Sequence, residues 1–276
     1  LDAIKDNPSF WADRVRTLIR ENPDKEVEEI FWMTYKEIVK RGAEFFIPLW
    51  EKSKHRYGYL SGQVDPRDVY DVDRMFAQAL ELADLSPNVM IKCPGSRQGY
   101  ELIEKLTAKG IATNNTLAFT VPQFVSCMEA VQRGLKQAGR GGVNMYRWRS
   151  VITHMSARYG SLGDLKTQAE ARRIVLTEAD IRWAELAIFK RGYRILKEKG
   201  YPNKMLMCSM RISPPMNDGT VASWHIEKIA GGDVVYTCPP KYIGELLQAE
   251  DKIRPFDPEA INEEPPKAVM EKLMRL

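Results

Sequence analysis

The chain has 276 residues, and its 41 lysines and arginines against 37 aspartates and glutamates give a formal net charge of +4. The length suits one large α/β domain or two smaller ones, and 44% hydrophobic with 28% charged content excludes an intrinsically disordered chain. No apolar run approaches the ~20 residues of a membrane span, and the mild charge does not require a nucleic-acid partner.

The cysteines and histidines favour a reducing compartment and no metal centre. The four cysteines lie in apolar contexts and form no CxxC pair, which argues against both a zinc knuckle and a disulfide scaffold. The three histidines lack metal-ligand spacing, and no signal peptide is visible. We therefore expect a cytoplasmic protein. These residues are Cys93, Cys127, Cys208 and Cys238 with His55, His154 and His225.

Short apolar strands alternate with amphipathic helices along the chain, which is typical of parallel βαβ units. The first predicted helix begins at Asn22-Pro23 and ends at Gly42, and the last spans about residues 265–276. Seven strands are predicted, near Asp2, Tyr59, Met90, Ala112, Ile152, Leu206 and Val235.

We therefore predict one domain over residues 1–276 with the α/β architecture of a (β/α)8 TIM barrel. A doubly wound sheet is the alternative, but no GxGxxG motif follows any predicted strand. Seven strands leave the barrel one strand short of closure. We expect the first strand to be missing from the N-terminus and about one βα unit, typically ~30 residues, to precede Leu1 in the native protein.

A lysine ends the predicted strand at residues 88–93. Alternation places Met90 and Lys92 on one face of that strand and Ile91 and Cys93 on the other. In a barrel the Lys92 face is interior, where a charged amine costs free energy unless it is paired or neutral. A lysine whose pKa is lowered by burial is a nucleophile suited to Schiff-base chemistry. A lysine at a strand end can instead extend into solvent, and the pattern leaves both interpretations open.

Polar residues also end the neighbouring strands. Gln63 is predicted to point into the barrel, whereas Asp65 and Arg67 are more typical of a helix cap and a structural ion pair. Asn114 and Thr116 share a face of the following strand. They can hydrogen-bond a substrate or a water, or serve as simple turn residues.

Two arginines follow two neighbouring late strands. Arg158 comes after the fifth predicted strand. Ser209 and then Arg211 come after the sixth. Arginine binds phosphate oxygens bidentately, and barrels often hold phosphate at their late strands. A single arginine is most often solvated, but two at matching strand ends favour an anion clamp. His154 and His225 are expected to be packed structural histidines.

Taken in chain order, these segments resemble the transaldolase family, class I enzymes on a (β/α)8 barrel. Each motif is weak, but the whole set in order covers nearly the entire chain. The segments that carry the resemblance are residues 1–9, 61–67, 91–96, 110–117, 153–158, 209–211 and 237–240.

The resemblance implies a function and a role for each site residue. The reaction would transfer a three-carbon dihydroxyacetone unit between sugar phosphates through a lysine Schiff base, as in the pentose phosphate pathway, without a cofactor or metal. Partners would be small-molecule sugar phosphates rather than nucleic acid or membrane, and a homo-oligomer remains open. By resemblance, the catalytic group is Lys92, Gln63 and Thr116, and the substrate-binding group is Asn7, Asn114, Thr153, Arg158, Ser209 and Arg211.

Three departures from the family pattern qualify this expectation. The glutamate that orders the catalytic water is Gln63 here, as in the fructose 6-phosphate aldolase branch, so aldol cleavage is an alternative to transfer. Met155 replaces an aromatic residue beside Arg158. The family's acid/base aspartate belongs to the strand expected before Leu1, which keeps a non-catalytic sugar-phosphate-binding barrel open as a third possibility.

Overall fold

The computed structural model describes residues 5, 7–162, 164–213 and 221–276. Within them the strands are β1 (Leu60–Gln63), β2 (Val89–Pro94), β3 (Thr113–Ala118), β4 (Ser150–Met155), β5 (Lys204–Cys208) and β6 (Val234–Tyr236). The helices are α1 (Pro8–Glu21), α2 (Val27–Lys52), α3 (Val72–Ala83), α4 (Arg97–Ala108), α5 (Val121–Arg140), α6 (Ser156–Leu162), α7 (Leu165–Ala171), α8 (Glu178–Glu198), α9 (Trp224–Glu227), α10 (Pro240–Gln248) and α11 (Lys267–Leu273). Short 3-10 turns lie at Pro66–Asp68, Glu250–Lys252 and Ala260–Asn262.

All six strands are parallel and pair in chain order from β1 to β6. A doubly wound sheet reverses its strand order at a switch point, and the described sheet has no such reversal, so that alternative is wrong. Sequential parallel pairing through helical crossovers is the winding of a TIM-like barrel. The predicted α/β class is confirmed, with six of the predicted strands observed. The predicted strand near Asp2 lies outside the described residues.

The two faces of the sheet belong to two separate apolar clusters. Ile91 and Cys93 of β2 are fully buried with residues of the surrounding helices, among them Leu102 and Phe124. The other face contributes a smaller cluster that includes Met90. Helices therefore cover one face, and the second face forms the interior. The remaining members of the interior cluster are Ala112, Val151, Leu206 and Cys208.

The bounds predicted for the first helix are wrong at both ends. Asn22 ends α1, where its side-chain amide donates to the Leu18 carbonyl at 2.9 Å, and α2 continues through Gly42 to Lys52. A Cβ at position 42 would lie 3.1 Å from a Leu60 methyl group. Gly42 therefore allows α2 to pack closely on β1, a tertiary requirement that local sequence does not reveal.

A buried lysine attaches the C-terminal segment to α8. The Lys190 ammonium donates to the carbonyl oxygens of Ala260 at 2.5 Å and Glu263 at 2.7 Å. Further along, the partly exposed Lys272 of α11 pairs with the buried carboxylate of Asp180 at 2.6 Å. These contacts place α11, within the predicted residues 265–276, against the barrel helices.

His154 is packed between the sheet and the helices, as predicted. Its ring is fully buried, lies edge-on to Phe124, and contacts the carbonyl oxygens of Ala118 at 3.3 Å and Glu185 at 3.2 Å. Burial lowers the pKa of His154 to about 4 from its ordinary value of 6.5, because desolvation outweighs the two carbonyl oxygens that favour the charged ring.

The depressed pKa of His154 predicts an acid-dependent loss of stability. Between pH 6.5 and 4 the unfolded chain binds a proton that the folded chain does not, so the unfolding free energy falls as pH falls, by about 3 kcal/mol over this interval. Denaturant unfolding of the wild type and of His154→Leu across this range measures the effect. The variant should lose stability less steeply with acid, and parallel curves for the two proteins would contradict the assignment.

Candidate active site

Lys92 lies on the interior face of the sheet with polar neighbours on both sides. In the strand pairing it is opposite Gln63 of β1 and Asn114 of β3. Met90, two residues earlier, belongs to the interior apolar cluster, and Ile91 and Cys93 pack against the helices. Lys92 itself is half-buried. The orientation predicted from strand alternation is therefore confirmed.

A hydrogen-bond chain crosses the interior beside Lys92. The Asn114 amide nitrogen donates to the Ser61 hydroxyl at 3.0 Å, and the Asn114 amide oxygen accepts from the Thr153 hydroxyl at 2.8 Å. Both ends of the amide are thus occupied by protein groups, and Asn114 and Thr153 are buried. Thr116 lies nearer the carboxyl end of β3, buried and opposite Pro94. The chain connects three strands around the amine.

Ser209 and Arg158, two of the residues predicted as an anion clamp, lie near Cys208 at the end of β5. The Ser209 hydroxyl lies 3.9 Å from the Cys208 sulfur. Burial raises the pKa of Cys208, while the Ser209 hydrogen bond and the charges of Lys92 and Arg158 lower it. The Arg211 guanidinium donates to the Ala157 carbonyl at 3.4 Å, next to Arg158. The structure therefore brings Lys92 to the same end of the sheet as the start of α6, which carries Arg158, and the chain after β5, which carries Arg211. These two segments are called the arginine-bearing turns below.

Lys92 and the two arginines have no carboxylate partner among the described residues. In the part of the chain that the structure describes, no carboxylate lies within 4.0 Å of Lys92, Arg158 or Arg211 as an ion pair. Both arginines are exposed. An anion that binds these three side chains displaces no carboxylate among the described residues.

Backbone strain marks two of the strand ends. Ser209 after β5 and Leu117 within β3 have φ of 59° and 57°, in the left-handed region that non-glycine residues rarely adopt. Gln123 holds the turn near Leu117, since its side-chain amide donates to the Gly95 carbonyl at 2.8 Å and accepts from the Phe119 backbone at 2.8 Å. The conformation is thus fixed by surrounding contacts.

Gln63 is positioned by a residue that the sequence did not single out. Its backbone N–H donates to the Tyr35 hydroxyl at 2.7 Å, and Tyr35 stacks on Trp32 with ring centroids 5.2 Å apart. These rings and Gln63 line a largely apolar cavity of about 790 Å³. Only the helical spacing of Tyr35 was visible in the sequence, because the contact spans 28 residues.

Asp65 and Asn7 each precede a helical turn, but their contacts differ. Asp65 caps the turn that follows β1 and pairs with Arg67, as predicted for a structural pair. Asn7 is the exposed N-cap residue of α1, with no side-chain capping bond. Among the described residues, no hydrogen bond or ion pair joins the Asn7 side chain to the strand ends, and its predicted role stays a prediction.

The described residues contain no group of three or more histidine, cysteine, aspartate or glutamate side chains that could hold a metal ion. None of the helices in the described ranges is both long enough and apolar enough to cross a membrane.

The family model for transaldolase and fructose 6-phosphate aldolase matches residues 2–276. The chain therefore belongs to this family, a class of enzymes built on the α/β architecture seen here. It is 26% identical over 258 residues to a transaldolase of Thiobacillus denitrificans, covering 89% of this chain and 70% of that protein. It is 27% identical to transaldolases of Saccharopolyspora erythraea, covering 84% and 65%, and of Mycobacterium ulcerans, covering 74% and 57%. The chain thus spans between 57% and 70% of the length of these relatives.

The Asn114 hydrogen-bond chain predicts a stability difference between two buried threonines. Thr153→Val removes the donor to the Asn114 amide oxygen and should lower the unfolding free energy by about 1–3 kcal/mol. Thr107→Val is the matched control, since the buried Thr107 hydroxyl has no hydrogen-bond partner among the described residues and its removal should cost nothing. Denaturant unfolding measures both variants, and equal losses would contradict the interpretation.

Proposed function

We propose that this protein is a transaldolase-type enzyme that acts on sugar phosphates through a Schiff base on Lys92. One observation carries the proposal. An interior lysine lies between Gln63 and Asn114 at the same end of the sheet as Arg158 and Arg211. An amine and an anion site at one end of a parallel sheet can bind a phosphorylated ketone and react with it. Family membership across the chain supports the same conclusion.

The reaction follows from the chemistry of a neutral amine. Lys92 adds to the ketose C2 carbonyl, and loss of water gives an iminium ion. A base removes the C4 hydroxyl proton, the C3–C4 bond breaks, and the aldehyde product leaves. The bonding electrons pass into the iminium, which becomes an enamine. The enamine carbon attacks an acceptor aldehyde in transfer or takes a proton in cleavage, and water then releases Lys92.

The surrounding residues would supply binding and orientation. Arg158, Ser209 and Arg211 would hold the substrate phosphate, because two guanidinium groups match phosphate oxygens. Gln63 and Thr116 would hold the water that takes part in imine formation and hydrolysis. Asn7, Asn114 and Thr153 would contact the sugar, as the resemblance implies. The Asn114–Thr153 hydrogen bond favours a supporting role for that pair beneath the substrate.

Aldol cleavage is the second candidate reaction, and Gln63 favours it. An amide can hold a water, but it cannot relay a proton as a carboxylate does. Where proton relay is slow, the fate of the enamine would shift between acceptor attack and protonation. For the wider context, we propose a cytoplasmic enzyme of carbohydrate metabolism of the pentose phosphate type.

Borohydride trapping tests the proposed nucleophile. The protein is incubated with fructose 6-phosphate, reduced with borohydride and mapped by mass spectrometry. The expected result is a covalent adduct on Lys92, lost with all activity in Lys92→Met. Lys204→Met is the matched control, because Lys204 begins a strand at the opposite end of the sheet and pairs with Asp233 at 2.5 Å. An adduct on another lysine, or none, would refute the proposal.

Substitution of Gln63 tests the second candidate. Gln63→Glu restores a carboxylate and should change the ratio of transfer to cleavage by at least roughly tenfold, a part of the ~10²–10⁴-fold that a positioned proton-transfer group contributes. Product analysis with and without an acceptor aldehyde measures the ratio. Gln63→Met removes both polar atoms and should slow both reactions together. If Gln63→Glu leaves the ratio unchanged, Gln63 lies outside the reaction centre.

A further inference from the structure

A buried histidine holds the backbone of the Arg211 turn. The Arg211 backbone N–H donates to His225 Nδ1 at 3.2 Å, and His225 Nε2 lies 2.7 Å from Glu185 Oε2. The histidine and glutamate are 0% and 1% exposed. Glu185 belongs to α8 and His225 to α9, so the contact joins two helices to the chain that follows β5.

The hydrogen bonds assign the tautomer of His225. A backbone N–H can only donate, so Nδ1 must carry the lone pair and Nε2 must carry the hydrogen. Nε2–H then donates to the Glu185 carboxylate, which fixes the plane of the ring. The buried carboxylate is also paired with Arg182 at 2.9 Å. Arg182 and His225 thus supply the hydrogen bonds that a buried carboxylate needs.

The same carboxylate contacts the helix that carries Arg158. A Cβ at Gly160 would lie 2.0 Å from Glu185 Oε1, so the carboxylate packs directly against α6 at a position where only glycine leaves room. On the other side of this junction, the Arg211 guanidinium donates to the Ala157 carbonyl of α6. The Glu185–His225 pair therefore lies where the two arginine-bearing turns meet.

We infer that Glu185 and His225 are positioning residues that fix the two arginine-bearing turns relative to each other, and so set the preference for phosphorylated over unphosphorylated ketoses. The inference rests on the proposed function, because it assigns a phosphate to Arg158 and Arg211. The physical reason is preorganisation. Each arginine side chain has many rotamers, and two guanidinium groups bind one phosphate tightly only when their backbones are already correctly spaced.

Three variants separate positioning from general stability. His225→Leu removes the acceptor for the Arg211 N–H. Gly160→Ala displaces the end of the Glu185 side chain without changing His225 or Arg211. This variant tests the inference independently if His225→Leu does not fold. Lys190→Met is the control, because it removes a buried group from the same helix but touches the C-terminal segment instead.

The first measurement is the affinity for inorganic phosphate by titration calorimetry, which needs no turnover. His225→Leu and Gly160→Ala should each weaken phosphate binding by roughly tenfold, while Lys190→Met should leave it within about twofold. Phosphate affinity unchanged in both His225→Leu and Gly160→Ala would overturn the inference, as would an equal loss in Lys190→Met.

The second measurement is the ratio of kcat/KM for fructose 6-phosphate to that for fructose. The ratio should fall by roughly tenfold in His225→Leu, and in an Arg211→Ala background the same substitution should change it by less than about twofold. Equal losses on both sugars would overturn the inference. Borohydride trapping of each variant separates the two hypotheses: no adduct on Lys92 in the wild type refutes the proposed function, whereas an adduct with an unchanged ratio refutes only the positioning role.

Discussion

The alternation of side chains in a parallel sheet wound in one direction is the constraint on which the rest of this structure depends. Because helices cover only one face, every second residue of each strand packs outward, and the others face the interior. Ile91 and Cys93 pack in the outer core, and Lys92 between them therefore faces the interior. A slip of one residue in the pairing of β2 would exchange these faces and remove the amine from the site.

The interior is organised by polar contacts rather than by apolar packing alone. The Ser61–Asn114–Thr153 chain connects β1, β3 and β4 on the face where Lys92 lies. At the neighbouring end of β3, the half-buried Gln123 side chain holds the strained backbone of the turn in place. Such contacts cost free energy if any partner is lost. The molecule thus fixes the groups around Lys92 while leaving Lys92, Arg158 and Arg211 without described carboxylate partners.

Local pattern was sufficient for much of the fold and for the orientation of Lys92. The strand at Lys204–Cys208 and the helix that begins after Thr177 are short-range features, set by apolar runs and a capping box. Gly42 does not end a helix, because its role is close packing against Leu60, which lies on the next element. Tertiary packing overrides local signals at such positions.

The residues of the candidate site also differ in whether the sequence predicts them. Gln63 and Arg211 could be found from the sequence because they lie at or just after the ends of predicted strands. Tyr35 could not, and neither could the Glu185–His225 pair, since these contacts join residues 28 and 40 positions apart. Only the resemblance suggested Asn7, and the described contacts do not place it with the others.

A crystal structure of the protein soaked with fructose 6-phosphate would show whether Lys92 and the two arginines form one site. We expect continuous density from Lys92 Nζ to C2 of the sugar. We also expect phosphate oxygens within hydrogen-bond distance of Arg158 and Arg211. A sugar attached to another lysine, or a phosphate distant from both guanidinium groups, would contradict a single site.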